Sequence, residues 1–304
     1  MKHSILTLFC LTINIFCYGQ INSIDSTVNA TAYWKKGDTM IYSVIKNGTK
    51  IKGTDTILSQ SKYKIELVIL SSNEKGYKIQ CRYHDIELSA ADSISKLLAN
   101  LSNNLKVIYI TDKNGSFISI ENWKEMQHQM HEAATILKNQ FKLPESFNSI
   151  LREVEKNYSS KEAIESSAIK DILQLHYFYG YQGKLGDVGS FLISEPSIFG
   201  NIPINYENTI SLDDIDFNNG EYLISSTSVA NKDQLSETIF NYINDLAKKT
   251  NSPLPKKELF KEVNKSTESA ALIHDSGWTL KCVRISSTSI RSDQNIEETT
   301  IELK

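Results

Sequence analysis

Residues 76–84, GYKIQCRYH, alternate without a slip: Tyr77, Ile79, Cys81 and Tyr83 fall on one side of an extended chain, and Lys78, Gln80, Arg82 and His84 on the other. Successive side chains of a strand point to opposite faces, so this pattern demands an antiparallel sheet with one face on a core and one in water. The same period runs through much of the chain. Met40, Tyr42 and Val44 share a face after a turn at Gly37, and residues 62–89 read as two strands about a turn at residues 73–76. A short helix is expected near residues 90–101. The stretch LKVIYITDKNGSFISIEN follows as a hairpin, with Asn114-Gly115 expected to supply the positive φ angles of a tight turn. Alternation returns after Asp187 in SFLIS, PINYENTISLDDIDF and EYLISSTSVA, again in ESAALIHDSGWTLKCVRISSTSIRS, and in a last strand near residues 296–303.

The middle third changes period. Trp123, Met126, Met130, Ala133, Leu137 and Phe141 recur at spacings of three and four, Pro144 restarts the chain, and Ile164, Ala168, Ile172, Leu175 and Tyr179 repeat the pattern. Asn122 followed by Glu125 reads as a capping box at the first helix. A further amphipathic helix carries Leu235, Ile239, Tyr242, Ile243 and Leu246. Strands, helices, strands, helix, strands is the order of an α+β fold. The expected architecture is a long, curved antiparallel sheet, half-barrel-like, with helices packed on its concave face. Residues 20–304 are expected to form a single domain, β-rich over 33–120, helical over 121–182 and β-rich again over 185–304; two domains is the alternative.

The first residues place Lys2 before an uncharged run and a small residue, Gly19, at its end, the pattern of a secretory signal peptide spanning residues 1–19. The run is interrupted by Thr7, Thr12 and Asn14 and is shorter than the roughly 20 apolar residues of a membrane span, so no stable membrane span is expected. Phe16 before Cys17 argues against a lipoprotein signal. The protein is thus expected to be exported, to the periplasm or beyond the cell. Removing Lys2 leaves 32 basic against 36 acidic residues in place of 33 against 36, with no basic stretch, which excludes the electrostatic footprint of a nucleic-acid binder. An apolar small molecule or an envelope protein is the expected partner. Beyond the leader only Cys81 and Cys282 remain, which is no disulfide scaffold; a bond between them and two buried thiols are both open.

The stretches WKKGD, NGSFISIENW and DSGWTL, set before or between long strands in an exported chain, resemble the half-barrel fold of the outer-membrane lipoprotein carriers and related secreted bacterial proteins. The resemblance implies a sheet plugged by helices and a sheltered groove for an apolar guest.

No motif specifies a reaction, and no catalytic residue, metal ligand or cofactor is assigned. His128 and His131, three apart beside Glu132, point away from the apolar stripe of their helix and read as a solvated face; the helical zinc motif uses a spacing of four. His84, His176 and His274 read as structural, and Asp213, Asp214 and Asp216 as a polar turn or strand face lacking the glycine and final glutamate of a calcium loop. The cluster HYFYGYQG is the candidate ligand-binding site. Tyr177, Phe178, Tyr179 and Tyr181 crowd the end of the helical segment, where Gly180 and Gly183 release it, and rings with polar tips suit partly wet apolar surfaces. The expected function is non-catalytic: holding an apolar ligand or a partner segment. The alternatives are a secreted hydrolase whose groups are scattered in sequence, and a structural assembly component.

Overall fold

The computed structural model describes residues 20–89, 105–140, 145–195, 197, 203–260 and 262–304. The expected helix near residues 90–101, the leader, and Phe141 and Pro144 of the helical segment lie outside the described residues. In chain order come β1 (Ile21–Asn22), β2 (Thr27–Asn29), β3 (Thr39–Lys52), β4 (Asp55–Asn73), β5 (Gly76–Leu88), β6 (Lys106–Thr111) and β7 (Phe117–Ile120). Then follow α1 (Trp123–Gln140), α2 (Glu145–Asn157), a single turn at Lys161–Ala163 that runs into a π-helical turn at Ile164–Ala168, and α3 (Lys170–Leu175). The chain closes with β8 (Gln182–Lys184), β9 (Val188–Glu195), β10 (Ile204–Asp216), β11 (Glu221–Ala230), α4 (Lys232–Lys249), β12 (Val263–His274), β13 (Thr279–Ile290) and β14 (Asp293–Leu303).

Eleven strands form one antiparallel sheet in the order β7-β6-β5-β4-β3-β14-β13-β12-β11-β10-β9, which does not close into a barrel, and β1, β2 and β8 form a small second sheet. The fold is α+β, as the period of the sequence implies. Every neighbour in the large sheet is joined by a turn or a local connection except β14 and β3, which pair over ten residues from Gln294↔Ile51 to Leu303↔Tyr42. The chain therefore starts in the middle of the sheet, walks to the edge at β7, crosses to the opposite edge at β9 and walks back. The crossing is the helical segment, and its path across one face makes it the cover of that face.

Strand alternation shows what lies beneath. Tyr42, Val44, Ile65, Ile79, Cys81, Val107, Tyr109, Ile224, Ala271, Cys282 and Ile301 point to the helices and join one buried core with Ile164, Ile169, Ile172 and Leu175. A second, smaller core lies at the other end of the same face, where α4 sets Leu235 and Ile239 on Ile204, Tyr206, Ala230 and Val263. Between the two cores that face is polar: Ser226 and Ser228 on β11 separate Ile224 from Ala230, and Lys265, Thr267 and Ser269 on β12 separate Val263 from Ala271.

Several local expectations are revised. Only Gly115 of the Asn114-Gly115 pair has a positive φ. The connection is a wider loop because the Asp112 carboxylate accepts from the backbone N–H groups of Asn114 and Ser116. Asn122 does not act in a capping box: its side chain accepts from Ile108 N–H and donates to Lys106 O, both at 2.8 Å, extending the pairing of β6 past the end of β7. The stripe through residues 164–175 slips at the π turn, whose hydrogen bonds reach five residues instead of four, so that Ile169 rather than Ala168 is buried beside Ile164. Tyr242 and Leu246 on α4 are exposed. β9, the last strand of the sheet, is exposed along its whole length, although its alternation implies one buried face.

Candidate functional site

Three separated turns meet in one aromatic knot. Gly277 O accepts both the Trp34 indole N–H (2.8 Å) and the Tyr179 hydroxyl (2.7 Å), and Trp34 packs on Trp278 with ring centroids 4.9 Å apart. Gly115 O takes a hydrogen bond from His176 Nδ1 at 2.7 Å, and the Tyr109 hydroxyl meets His176 Nε2 at 2.8 Å. A carbonyl only accepts, so Nδ1 carries the proton and Nε2 receives the tyrosine hydroxyl. Burial pushes the His176 imidazole down to about 4, so it is neutral at neutral pH. Gly277 has φ +84 and a Cβ there would meet Tyr33 N at 2.7 Å and Thr31 O at 2.8 Å; both the conformation and the close approach require glycine. WKKGD, NGSFISIENW and DSGWTL thus each supply part of the knot that anchors the end of the helical crossing.

Nearer the middle of the crossing, α3 is pinned by Asp171, only 4% exposed. Its Oδ2 accepts from the Tyr63 hydroxyl at 2.6 Å, and its Oδ1 stands 2.8 Å from Lys46 Nζ, within ion-pair distance but not aligned as a hydrogen bond. Burial, with the Asp171 carboxylate second, drives the Tyr63 phenol far above its ordinary value. Gln174 Nε2 donates to Thr299 O at 3.0 Å. One short helix therefore reaches β3, β4 and β14. Sequence reading passed over Asp171, yet the signal was present: an acid at a stripe position, seven residues after Ile164 and four before Leu175.

Beyond the knot the chain leaves regular helix and frames a cleft of about 680 Å³ between the aromatic loop and the edge of the sheet. Tyr177, Phe178, Tyr179 and Tyr181 all border it, with Val188 and Phe191 of β9 and Ile210 of β10 opposite. The four rings do different work. Phe178 and Tyr179 are buried and form the back wall, Tyr181 is half-buried, and Tyr177 is 49% exposed. Gly183 admits the Tyr181 ring: a Cβ there would meet its hydroxyl oxygen at 2.1 Å. The lining is mixed, with Gln182 and Asp187 beside the rings, and β9 carries Val188, Phe191, Leu192 and Ile193 exposed.

The other candidates are dispersed. His128 and His131 are exposed on α1, with His128 Nε2 3.4 Å from Glu132. His84 lies 3.4 Å from Glu66, and His274 pairs with Ser276 at 2.8 Å. Asp216 accepts from the backbone of Asn218 and Asn219 and from the Asn219 amide, contacts that hold its carboxyl below the usual range; it shapes the turn between β10 and β11. Asp213 accepts from Ser211 at 2.5 Å, and Asp214 from the N–H of Ile215. Cys81 and Cys282 are free and buried. They lie four strands apart, on β5 and β13, whereas a disulfide needs Cα atoms within roughly 7 Å. Among the described residues no group of three or more His, Cys, Asp and Glu is placed to hold a metal ion, and no helix is long and apolar enough to cross a membrane.

No protein-family model matches the chain, and no curated protein matches it. Among solved structures it is similar to lipovitellin, in a study of lipid–protein interactions, with a TM-score of 0.49 and 12% identity over 89% of this chain and 25% of that one. The chain spans about a quarter of lipovitellin's length.

Proposed function

We propose that this is an exported, non-catalytic binding protein that holds an apolar molecule in the cleft between the aromatic loop and the edge of the sheet. The observation that carries the reading is the lining: a recess of about 680 Å³ in which the rings of Tyr177, Tyr181 and Phe191 and the side chains of Val188 and Ile210 stand beside the polar groups of Gln182 and Asp187. That volume lies in the range of small-molecule sites, and a wall of rings and aliphatic groups set beside phenolic hydroxyls, an amide and a carboxylate suits a guest with an apolar body and a polar end. The back wall is rigid, since Tyr179 is fixed through its hydroxyl to Gly277. Export follows from the leader pattern of residues 1–19 and fits a carrier of poorly soluble molecules.

Native mass spectrometry of the protein recovered from its own export route tests the reading. The expected spectrum shows chains beginning at Gln20 with an additional non-covalent mass that is lost on extraction with organic solvent. Chains free of any such mass, with none regained on incubation with lipid extract, would count against it.

A further inference from the structure

The two edges of the large sheet are treated differently. β7 is four residues long, and the N–H of Ile120 is occupied by the Glu165 carboxylate at 2.8 Å. β9 is eight residues long, and among the described residues no strand pairs with its outer edge. Residues 188–194, VGSFLIS, carry no charge, and the acids Asp187 and Glu195 stand only at the ends. Native sheets blunt such an edge with charges, proline or a cover, because a long apolar edge is a template for another strand.

We propose that β9 pairs antiparallel with the β9 of a second copy of this chain, centred on Leu192, so that two eleven-stranded sheets join into one. The register follows from the faces. Phe191 and Ile193 lie opposite Asn208 and Tyr206 and so point to the helix-covered face, whereas Leu192 lies opposite Glu207 and points to the other. A two-fold axis normal to the sheet keeps like faces together, so facing residues must have numbers that sum to an even value. Centring on Leu192 sets Phe191 against the second copy's Ile193, twice, on the helix-covered face, and Leu192 against Leu192 and Ser190 against Ser194 on the other. Aromatic and β-branched side chains directly opposite each other are a favourable cross-strand pair. Centring one residue earlier sets Ile193 against Gly189, and one residue later sets Phe191 against Glu195, both poorer matches. Phe191 is 44% exposed and Leu192 74%, so the seam removes from water the largest apolar groups of the strand.

The register makes cysteine cross-linking a discriminating test. Residues directly opposite in an antiparallel pair have Cα atoms about 4.5–5.5 Å apart, within the range of a disulfide. Leu192→Cys is expected to give a covalent dimer on mild oxidation. Ser190→Cys is expected to remain uncross-linked, since its counterpart lies four residues along the strand, roughly 13 Å away. In sedimentation equilibrium the parent chain is expected to dimerise with rising concentration. Leu192→Lys, which sets like charges face to face, is expected to be monomeric, with the parent's melting temperature at concentrations where the parent is itself monomeric, and it leaves this chain's own lining of the cleft in place, so that self-association and ligand binding fail separately. A parent chain monomeric at every concentration overturns the pairing, including the case in which it binds an extended peptide of another protein instead. So do a dimer that persists in Leu192→Lys and equal cross-linking by both cysteines, which would report unspecific apolar contact.

Discussion

His176 is the residue on which the knot turns, because its two nitrogens face groups that fix opposite roles. Donation from Nδ1 to Gly115 O leaves Nε2 to accept from Tyr109, and a second proton would place a donor against the Tyr109 hydroxyl inside a ring of Trp34 and Tyr179. With the folded-state value lowered to about 4, the unfolded chain takes up a proton that the native one refuses. The contribution to stability is therefore fully present above the unfolded value near 6.5 and is lost as pH falls toward the folded value. The lost contribution amounts to about 3 kcal/mol, a gap of roughly 2.5 pH units, and levels off below pH about 4. Urea unfolding between pH 4 and 7 should show the parent losing this much relative to His176→Gln, which keeps polar atoms but does not titrate. Parallel curves for the two would mean that the imidazole is not held neutral by burial.

At the scale of elements, α3 decides how the crossing sits on the sheet. Asp171 is buried with its charge, and Lys46, whose side chain is 39% exposed, reaches in from β3. Removing the lysine leaves a buried carboxylate supported, among the described residues, by Tyr63 alone; removing the acid leaves a lysine that can turn to water. Lys46→Met is thus expected to destabilise at least as much as Asp171→Ala, each by about 2 kcal/mol after discounting for the partly exposed lysine, and the double variant by less than the sum. Chemical unfolding of the three variants checks the order; strict additivity would show that the pair is not coupled.

The elements also show what sequence conveys and what it withholds. Period-two runs such as 77–83 translate directly into β5, because that strand has neighbours on both sides and one covered face. The run at 188–195 has the same look and a different outcome, since nothing local shows whether a strand's face will be covered. The one-residue slip at Ile164–Ala168 is likewise invisible to a helix template, although Ile164 and Ile169 at a spacing of five carry it. The cluster at 177–181 was legible as a concentration of rings, but its division into buried Phe178 and Tyr179 and accessible Tyr177 and Tyr181 depends on Gly277 and Gly115, about 100 residues after it and 60 before.

For the whole molecule, the order of strands explains where a site can be. A sheet entered at its centre and crossed by helices from one edge to the other is covered best in the middle, where α3 lies, and least at the edge where the crossing ends. The polar band through Ser226, Ser228, Thr267 and Ser269 keeps the two cores apart, so a recess lined in part by rings belongs at the margin, beside β9 and β10, not along the length of the face. Titration with the fluorescent apolar anion 1-anilinonaphthalene-8-sulfonate, followed together with thermal unfolding, tests this most directly. The parent is expected to bind the probe saturably at one site per chain, and the Tyr177→Ala/Tyr181→Ala variant to bind it at least about tenfold more weakly, a loss of about 1.4 kcal/mol, with an unchanged melting temperature. Tyr179→Ala should instead lower the melting temperature sharply, as the loss of a packed aromatic side chain costs about 3–5 kcal/mol. Equal probe affinity in the parent and the Tyr177→Ala/Tyr181→Ala variant, or no saturable binding to either, would contradict a ligand site in the aromatic cleft.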